Sequence, residues 1–468
     1  MHVSRHPLVF IPLAMAGEAH APVAAMVGTD RKNPCLLVVA QPRNRDQRFE
    51  FAHKLARILM EETLRYAEWR FPKRGAGGGA MQCADAPQIW VPNRAGVEFV
   101  RMLGRSTRFR KTTGPWKVPA NVPRMGKWLT FYADRTQYAG SSLLVPATAA
   151  LSQHWATGQS VEEDEHLGAI LAWIEPGDGL TGVEAADLVE DPVKHPPAGP
   201  STDPSFDNNI LAPLIRRYHE IAHNPSARDH VQSQIESELH KQLIGTWHRM
   251  WRAIDLLDDL DPGDHVEERW EDDLGAFTRT ADWIATSPGA QRKRDLAVEA
   301  ARRLHDLERH HARYEAQRAF DDPLVMAEAR MLGEAFVGIV TAAQPDRRFD
   351  GRKLPRIIVE TADPVRLSRG ETGLRSPARP RQKAEITDLA EVDGRFQIEL
   401  ELSEGMGNRR EPAPGTVPSV GEKVCYSMFS DDFRRAPVLP RIEHTPWTHG
   451  GPPTPYIPTD EDAQEEWE

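Results

Sequence analysis

The sequence contains little cysteine and no long apolar run. Its three cysteines, Cys35, Cys83 and Cys425, lie far apart and form no Cys-x-x-Cys pair. This excludes a disulfide framework and a cysteine zinc site. Apolar stretches such as Leu8–Ala16 are far shorter than the about 20 residues that a membrane-spanning helix needs. We therefore expect a cytoplasmic protein with no membrane partner.

The N-terminal apolar run is open to two interpretations. Arg5, the run itself and the triplet Ala19-His20-Ala21 are similar to a signal peptide with its cleavage site. Pro7 and Pro12 interrupt the run, so the alternative is a short buried strand that enters a turn at Gly17.

The sequence also lacks the short motifs of the common nucleotide and cofactor chemistries. It contains no Gly-x-Ser-x-Gly elbow, no Walker A loop, no Gly-x-Gly-x-x-Gly after a strand and no protein-kinase signature. The glycine-rich segment Arg74–Gly79 lacks the Gly-Lys-Ser/Thr ending of a phosphate-binding loop, so we interpret it as a flexible connector. We predict no cofactor, and catalysis is not visibly encoded.

Charge is distributed unevenly along the chain. Residues 1–150 carry 22 Lys and Arg against 10 Asp and Glu, whereas residues 151–468 carry 36 against 59. A basic region favours phosphate groups or acidic surfaces as partners. Arginine outnumbers lysine by 46 to 12, a bias typical of GC-rich bacterial genomes, so we expect a bacterial protein.

Residues 1–150 predict a basic domain of α/β or α+β class. Strand-like apolar runs alternate with one stretch of helical periodicity. The strand-like runs are Leu8–Leu13, Leu36–Ala40, Ile89–Val91 and Leu143–Val145, and the helical stretch is Phe49–Trp69.

Residues 151–345 predict a connector followed by helices. Residues 151–207 are acidic and rich in proline, which indicates a connector around one packed element at Leu167–Ile174. In residues 208–345 apolar side chains recur every three or four positions, which predicts an α-helical bundle. The clearest apolar stripe consists of Leu239, Leu243, Trp247, Met250, Trp251, Ile254 and Leu257.

Beyond residue 350 the apolar period changes to two. Phe396–Leu402 alternates strictly between apolar and polar side chains, and Asp393-Gly394 is typical of a hairpin turn. Residues 350–445 therefore predict a small antiparallel β-sheet or barrel domain. Residues 446–468 are rich in proline and acidic residues, which predicts a disordered tail. The expected fold class is a multi-domain mixed chain with α/β or α+β, helical and β parts.

The richest basic stretch runs from Arg101 to Arg135 and interleaves cations with aromatic side chains. Such a mixture is typical of a platform for single-stranded nucleic acid, on which cations neutralise phosphates and aromatic rings stack on bases. Prolines 115, 119 and 123 suggest an extended loop. The predicted nucleic-acid-binding residues are Arg101, Arg105, Arg108, Arg110, Lys111, Trp116, Lys117, Arg124, Lys127 and Trp128.

The string His219-Glu220-Ile221-Ala222-His223 matches the His-Glu-x-x-His pattern. In that pattern two histidines one helical turn apart bind zinc, and the glutamate activates the metal-bound water. Asp229 lies six residues past the second histidine, where metzincin-type proteases place a third ligand. These residues resemble zinc metalloproteases over about eleven of the 468 residues. The resemblance implies a zinc-dependent hydrolase with His219, His223 and Asp229 as ligands and Glu220 as the base.

Two residues near this string differ from the protease pattern. Ser226 stands where metzincins have a glycine, and Pro225 follows closely after His223. Because proline disfavours helical backbone in the residue before it, we expect the helix to end at His223.

The sequence leaves three functions open. The first is a non-catalytic nucleic-acid-binding or scaffold component of a bacterial multi-protein assembly, with protein partners bound through the helical and β domains. The second is the zinc-dependent hydrolase. The third is a protein–protein adaptor with no nucleic-acid role.

Overall fold

The chain forms two compact units. The structure is a computed structural model that describes residues 1–441, except 73–80, 193, 198, 222, 288–294, 296, 350, 408–410 and 432–436. Unit 1 comprises Met1–Pro262 and Val266–Ala297, and unit 2 comprises Gly263–His265 and Val298–Thr445. The predicted acidic tail and the glycine-rich connector lie outside the described residues. Among the described helices, none has an apolar stretch that is long enough to cross a membrane.

Unit 1 contains both strands and helices, and its described strands all lie in the first 146 residues. Its strands are β1 (Leu8–Met15), β2 (Glu18–Gly28), β3 (Cys35–Val38), β4 (Arg70–Pro72), β5 (Met81–Cys83), β6 (Ile89–Val91) and β7 (Leu144–Pro146). Its longer helices are α1 (Arg45–Glu68), α2 (Arg94–Thr107), α3 (Asn121–Arg135), α6 (Leu167–Ile174), α7 (Gly182–Val189), α9 (Ala212–Glu220), α10 (Pro225–Asp258) and α11 (Val266–Thr286). Short helices are α4 (Ala147–Leu151), α5 (Val161–Asp164), α8 (Pro204–Phe206) and a π-helical turn at Asp207–Leu211.

A mixed five-stranded sheet lies at the centre of unit 1. Its strand order is β3-β2-β1-β6-β7. Strands β1, β2 and β3 form an antiparallel meander, whereas β6 and β7 run parallel to β1. Gly17, at a φ of 73°, turns the chain between β1 and β2. The N-terminal apolar run therefore forms a strand, as in the second interpretation of the sequence.

Helices cover both faces of this sheet. Leu8 and Phe10 of β1 pack on one side with α1, α2, α3 and α11. Val9 and Ile11 pack on the other side with α4, α6, α9 and α10. Burial on both faces explains why β1 is a continuous apolar run rather than an alternating one.

Side-chain caps set the starts of several helices. Asn44 accepts a hydrogen bond from the Gln47 backbone N–H at the start of α1, and Asn93 caps α2 in the same way through Gly96. Asn224 caps α10, whose first residue is Pro225. These residues satisfy N–H groups that have no partner within the helix.

The apolar stripe of α10 packs on the sheet instead of on a separate bundle. All seven predicted stripe residues are buried in the core between α10 and the sheet. The indole N–H of Trp247 donates to the Arg31 carbonyl at 2.9 Å, in the connection after β2. The predicted helical region 208–345 is divided, because α9 to α11 belong to unit 1 while the helices after Ala297 belong to unit 2. The predicted connector 151–207 also belongs to unit 1, where Leu167 and Ile170 are buried.

A buried ion pair joins α3 to α11. The Arg135 Nε atom donates to Asp273 Oδ1 at 2.7 Å, and the two side chains are 9% and 1% exposed. Asp273 also accepts from the Ser141 hydroxyl at 2.9 Å and from the Ser142 backbone N–H at 2.6 Å. One carboxylate therefore connects two helices and the chain that leads into β7.

The described part of unit 2 contains two helices, a closed antiparallel barrel and a separate two-stranded sheet. The helices are α12 (Ala297–Asp321) and α13 (Pro323–Leu332). The strands are β8 (Ala335–Gln344), β9 (Arg348–Phe349), β10 (Arg352–Lys353), β11 (Arg356–Thr361), β12 (Thr372–Ser376), β13 (Arg379–Val392), β14 (Arg395–Ser403) and β15 (Lys423–Ser427). The barrel closes in the order β11-β14-β13-β12-β15-β8, and its core includes Phe336 and Tyr426. Asp393 and Gly394, both with positive φ, form the turn between β13 and β14 as their sequence predicts. The mixed, multi-domain fold class is confirmed.

Candidate nucleic-acid interface

The basic segment 101–135 folds into two helices and a tight loop rather than an extended loop. The Val118 backbone N–H donates to the Lys111 carbonyl at 2.9 Å, and Gly114 between them takes a φ of 88°. Pro123 lies in the first turn of α3, where the backbone N–H has no helical partner to lose. The cations of the segment therefore lie on two helices and on the loop between them.

Several cations of the segment are bound to neighbouring groups. Arg135 is paired with Asp273, and the Arg110 Nε atom donates to the Ser106 carbonyl at 2.8 Å. The Arg101 guanidinium donates to the Glu98 carboxylate at 2.7 Å. Lys127 Nζ donates to the Ser287 carbonyl at 3.3 Å. These contacts reduce the number of donors that each side chain can offer to a phosphate.

Arg108 and Trp128 belong to the interior of unit 1. Arg108 is 7% exposed, and its guanidinium lies 4.7 Å from the centre of the Phe109 ring. Trp128 is 2% exposed, and its ring centre lies 5.2 Å from that of Phe277. Because a buried indole cannot stack on a base, Trp128 does not belong to a binding surface in this structure.

The remaining predicted residues include the exposed part of the segment. Arg105 and Arg124 are exposed on α2 and α3. Lys111, Trp116 and Lys117 are exposed on the loop, and Trp116 is 73% exposed. A tryptophan with this exposure contributes little to the core.

The first turn of α1 lies against this loop. The Arg45 guanidinium donates to the Trp116 carbonyl at 2.7 Å and lies 5.6 Å from the centre of the indole. It also lies 4.6 Å from the centre of the Phe49 ring, and the Arg110 guanidinium lies 5.3 Å from the same ring. We use the name Trp116 surface for Arg45, Arg48, Arg110, Lys111, Trp116 and Lys117.

The electrostatics of the Trp116 surface favour an anion. Burial and the neighbouring charge of Arg45 both lower the pKa of Arg48. Asp46 is the one acid in the first turn of α1, and its carboxylate, 3.1 Å from Arg45, belongs to a side chain that is 90% exposed to solvent. A helix N-terminus is itself a region of positive potential, which the two arginines reinforce.

No protein-family model, curated protein or solved structure matches this chain. Its function is therefore inferred from its own residues.

Arg45 and Arg48 were not among the predicted site residues. The helical periodicity in the sequence begins at Phe49, whereas α1 begins at Arg45. One sequence signal could have located them. Asn44 is a typical N-cap residue, and Arg45 and Arg48 follow it in the first helical turn, where acidic residues are preferred.

The structure divides the string that resembles a zinc motif. Helix α9 ends at Glu220, and His223 lies in the connection before α10. His219 and His223 therefore do not follow one another on a single helical turn, which the pattern requires for zinc binding. Within the described part of the chain, no three His, Cys, Asp or Glu side chains are grouped so that they could hold a metal ion.

Proposed function

We propose that this protein binds single-stranded nucleic acid through the Trp116 surface. The observation that carries the proposal is an indole that is 73% exposed and held in place by the Arg45 guanidinium. An exposed aromatic ring that is surrounded by cations has the two features of a stacking platform for unpaired bases. A single strand offers unpaired bases for the ring and phosphates for the surrounding cations.

The local structure supports this proposal by restraining the ring. The loop is closed by the hydrogen bond between Val118 and Lys111, and Val118 is 4% exposed. At the start of α3, Asn121 donates to the His53 carbonyl of α1 at 3.1 Å. A restrained platform loses little conformational entropy when a strand binds.

The proposal predicts a moderate dependence of binding on salt. If three to five of the five cations of the Trp116 surface contact phosphates, the logarithm of affinity is expected to fall with the logarithm of salt with a slope of about −2 to −3.5. Fluorescence anisotropy of labelled DNA and RNA strands over a salt series measures this slope. A flat response, or no binding of either strand at low salt, would contradict the proposal.

Trp116→Ala is expected to weaken binding about 5- to 150-fold, because one stacked base contributes roughly 1–3 kcal/mol. Trp116→Phe keeps an aromatic face and is expected to retain part of the affinity. Trp69→Ala is the matched control, since Trp69 is also exposed, at 54%, but lies outside the Trp116 surface.

The same variants separate nucleic acid from an acidic protein as the partner. An acidic peptide is attracted by the cations, but it has no base to stack on the indole. Salt-dependent binding that is unchanged in Trp116→Ala would therefore favour an acidic protein and reject stacking.

A further inference from the structure

Three half-buried side chains meet at the start of α6. His166 is the N-cap of α6, Arg249 lies on α10, and His195 lies in the connection after α7. Arg249 Nη2 lies 3.1 Å from His195 Nδ1. A Cβ atom on Gly168 would lie 3.0 Å from both Arg249 Cζ and His166 Cε1. The guanidinium and the imidazoles therefore converge on the first turn of α6.

All three side chains present hydrogen-bond donors. His166 Nδ1 accepts from the Ala169 backbone N–H at 3.0 Å. His195 Nδ1 accepts from Arg249, because a guanidinium can only donate. Each neutral imidazole consequently carries its proton on Nε2.

This cluster has no counter-charge among the described residues. Arg249 contacts no carboxylate there, and its hydrogen bond goes to a ring nitrogen. The nearest acids in the sequence have other partners. Glu165 accepts from the Arg94 backbone N–H at 2.9 Å, and Asp191 pairs with Lys194 at 3.2 Å.

Arg252, one helical turn further along α10, is an arginine that does have a carboxylate partner. Its guanidinium is paired with Glu175, the C-cap of α6, where the helix end is negative. Arg249 instead lies at the positive end of α6. Burial lowers the pKa of Arg249, and the pKa of His166 is lowered first by burial and then by the charge of Arg249. An anion would relieve this repulsion.

We propose that His166, His195 and Arg249 bind a phosphate group. The three side chains come from three segments of the chain and meet at the N-terminal end of a helix. A tetrahedral oxyanion has acceptors in several directions, whereas a planar carboxylate matches the guanidinium alone. Gly168 has a specific role in this site, because its missing side chain leaves the space in which Arg249 approaches the helix.

Calorimetric titration of the full chain with inorganic phosphate tests the proposal. We expect saturable binding of one equivalent at millimolar or lower concentrations. Arg249→Gln is expected to weaken it at least about tenfold. Gly168→Ala is expected to weaken it as well, because the new methyl group displaces the flexible end of Arg249. A nucleoside monophosphate and its nucleoside, titrated in parallel, show whether the phosphate can belong to a nucleotide.

Two control variants keep the test decisive. Gly245→Ala adds a methyl group to α10 where no atom lies within 4 Å. Arg252→Gln removes a charge one turn away from the site. Neither is expected to change phosphate binding, and circular dichroism checks that each variant is folded. The absence of saturable binding, or binding that survives Arg249→Gln, would overturn the proposal. Because Trp116 is not part of this site, Trp116→Ala should leave phosphate binding unchanged.

Discussion

Asp273→Ala is expected to lower the free energy of unfolding of unit 1 by about 3–5 kcal/mol. The substitution removes the acceptor for the Arg135 guanidinium, the Ser141 hydroxyl and the Ser142 backbone N–H. The buried guanidinium is then left without its ion-pair partner, which is strongly destabilising. Urea unfolding followed by tryptophan fluorescence measures the loss. Ten of the twelve tryptophans lie between residues 69 and 283, and none lies between residues 298 and 445.

Glu271→Ala is the matched control for this prediction. Glu271 is an exposed acid on the same helix, and its described contact is a hydrogen bond from Gln82 at 3.3 Å. Its loss is expected to change stability by no more than about 0.5 kcal/mol. Equal losses for the two variants would mean that the buried ion pair does not stabilise the fold.

Replacing the other partner of the ion pair, as in Arg135→Met, should lower the free energy of unfolding by an amount that depends on pH. Burial raises the pKa of Asp273, while Arg135 and the hydrogen bonds oppose this rise. Without the guanidinium the folded-state pKa rises further above the unfolded value of about 3.9. The folded variant then binds more protons than the unfolded chain, so its stability falls as pH rises through this window. Arg135→Met should therefore lower the free energy of unfolding less at about pH 5 than at about pH 7. An equal decrease at both pH values would contradict this account.

Local patterns in the sequence predicted many helices and strands of the fold, but they did not predict which of these elements pack against each other. The continuous apolar run of β1 and the alternating residues of β14 are local features, and both form strands. Strand β2 was not predicted, because alanines and Pro22 weaken its signal. The stripe on α10 showed that one helix face is buried. It did not show whether that face packs on a sheet or on other helices, because either partner requires the same period.

The basic segment shows the same limit for charged and aromatic residues. Nothing near Arg135 in the sequence indicates that its partner is Asp273, which lies 138 residues away. The exposure of Trp116 and the burial of Trp128 likewise depend on which helix face meets the core. A count of cations therefore located a basic region, whereas tertiary contacts determine which of its members can bind a ligand.

Trp247→Ala tests how α10 is packed, and we expect it to destabilise unit 1 by about 3–5 kcal/mol. The indole is fully buried, donates to the Arg31 carbonyl and packs edge-on against Trp251 at 5.8 Å. Hydrogen exchange measured by mass spectrometry should then show weaker protection in β1 and β2 together with α10, because one core holds them. His248→Ala, at an exposed position on the same helix, is the control and should leave exchange unchanged. Weaker protection confined to residues 208–345 would instead indicate a separate helical bundle.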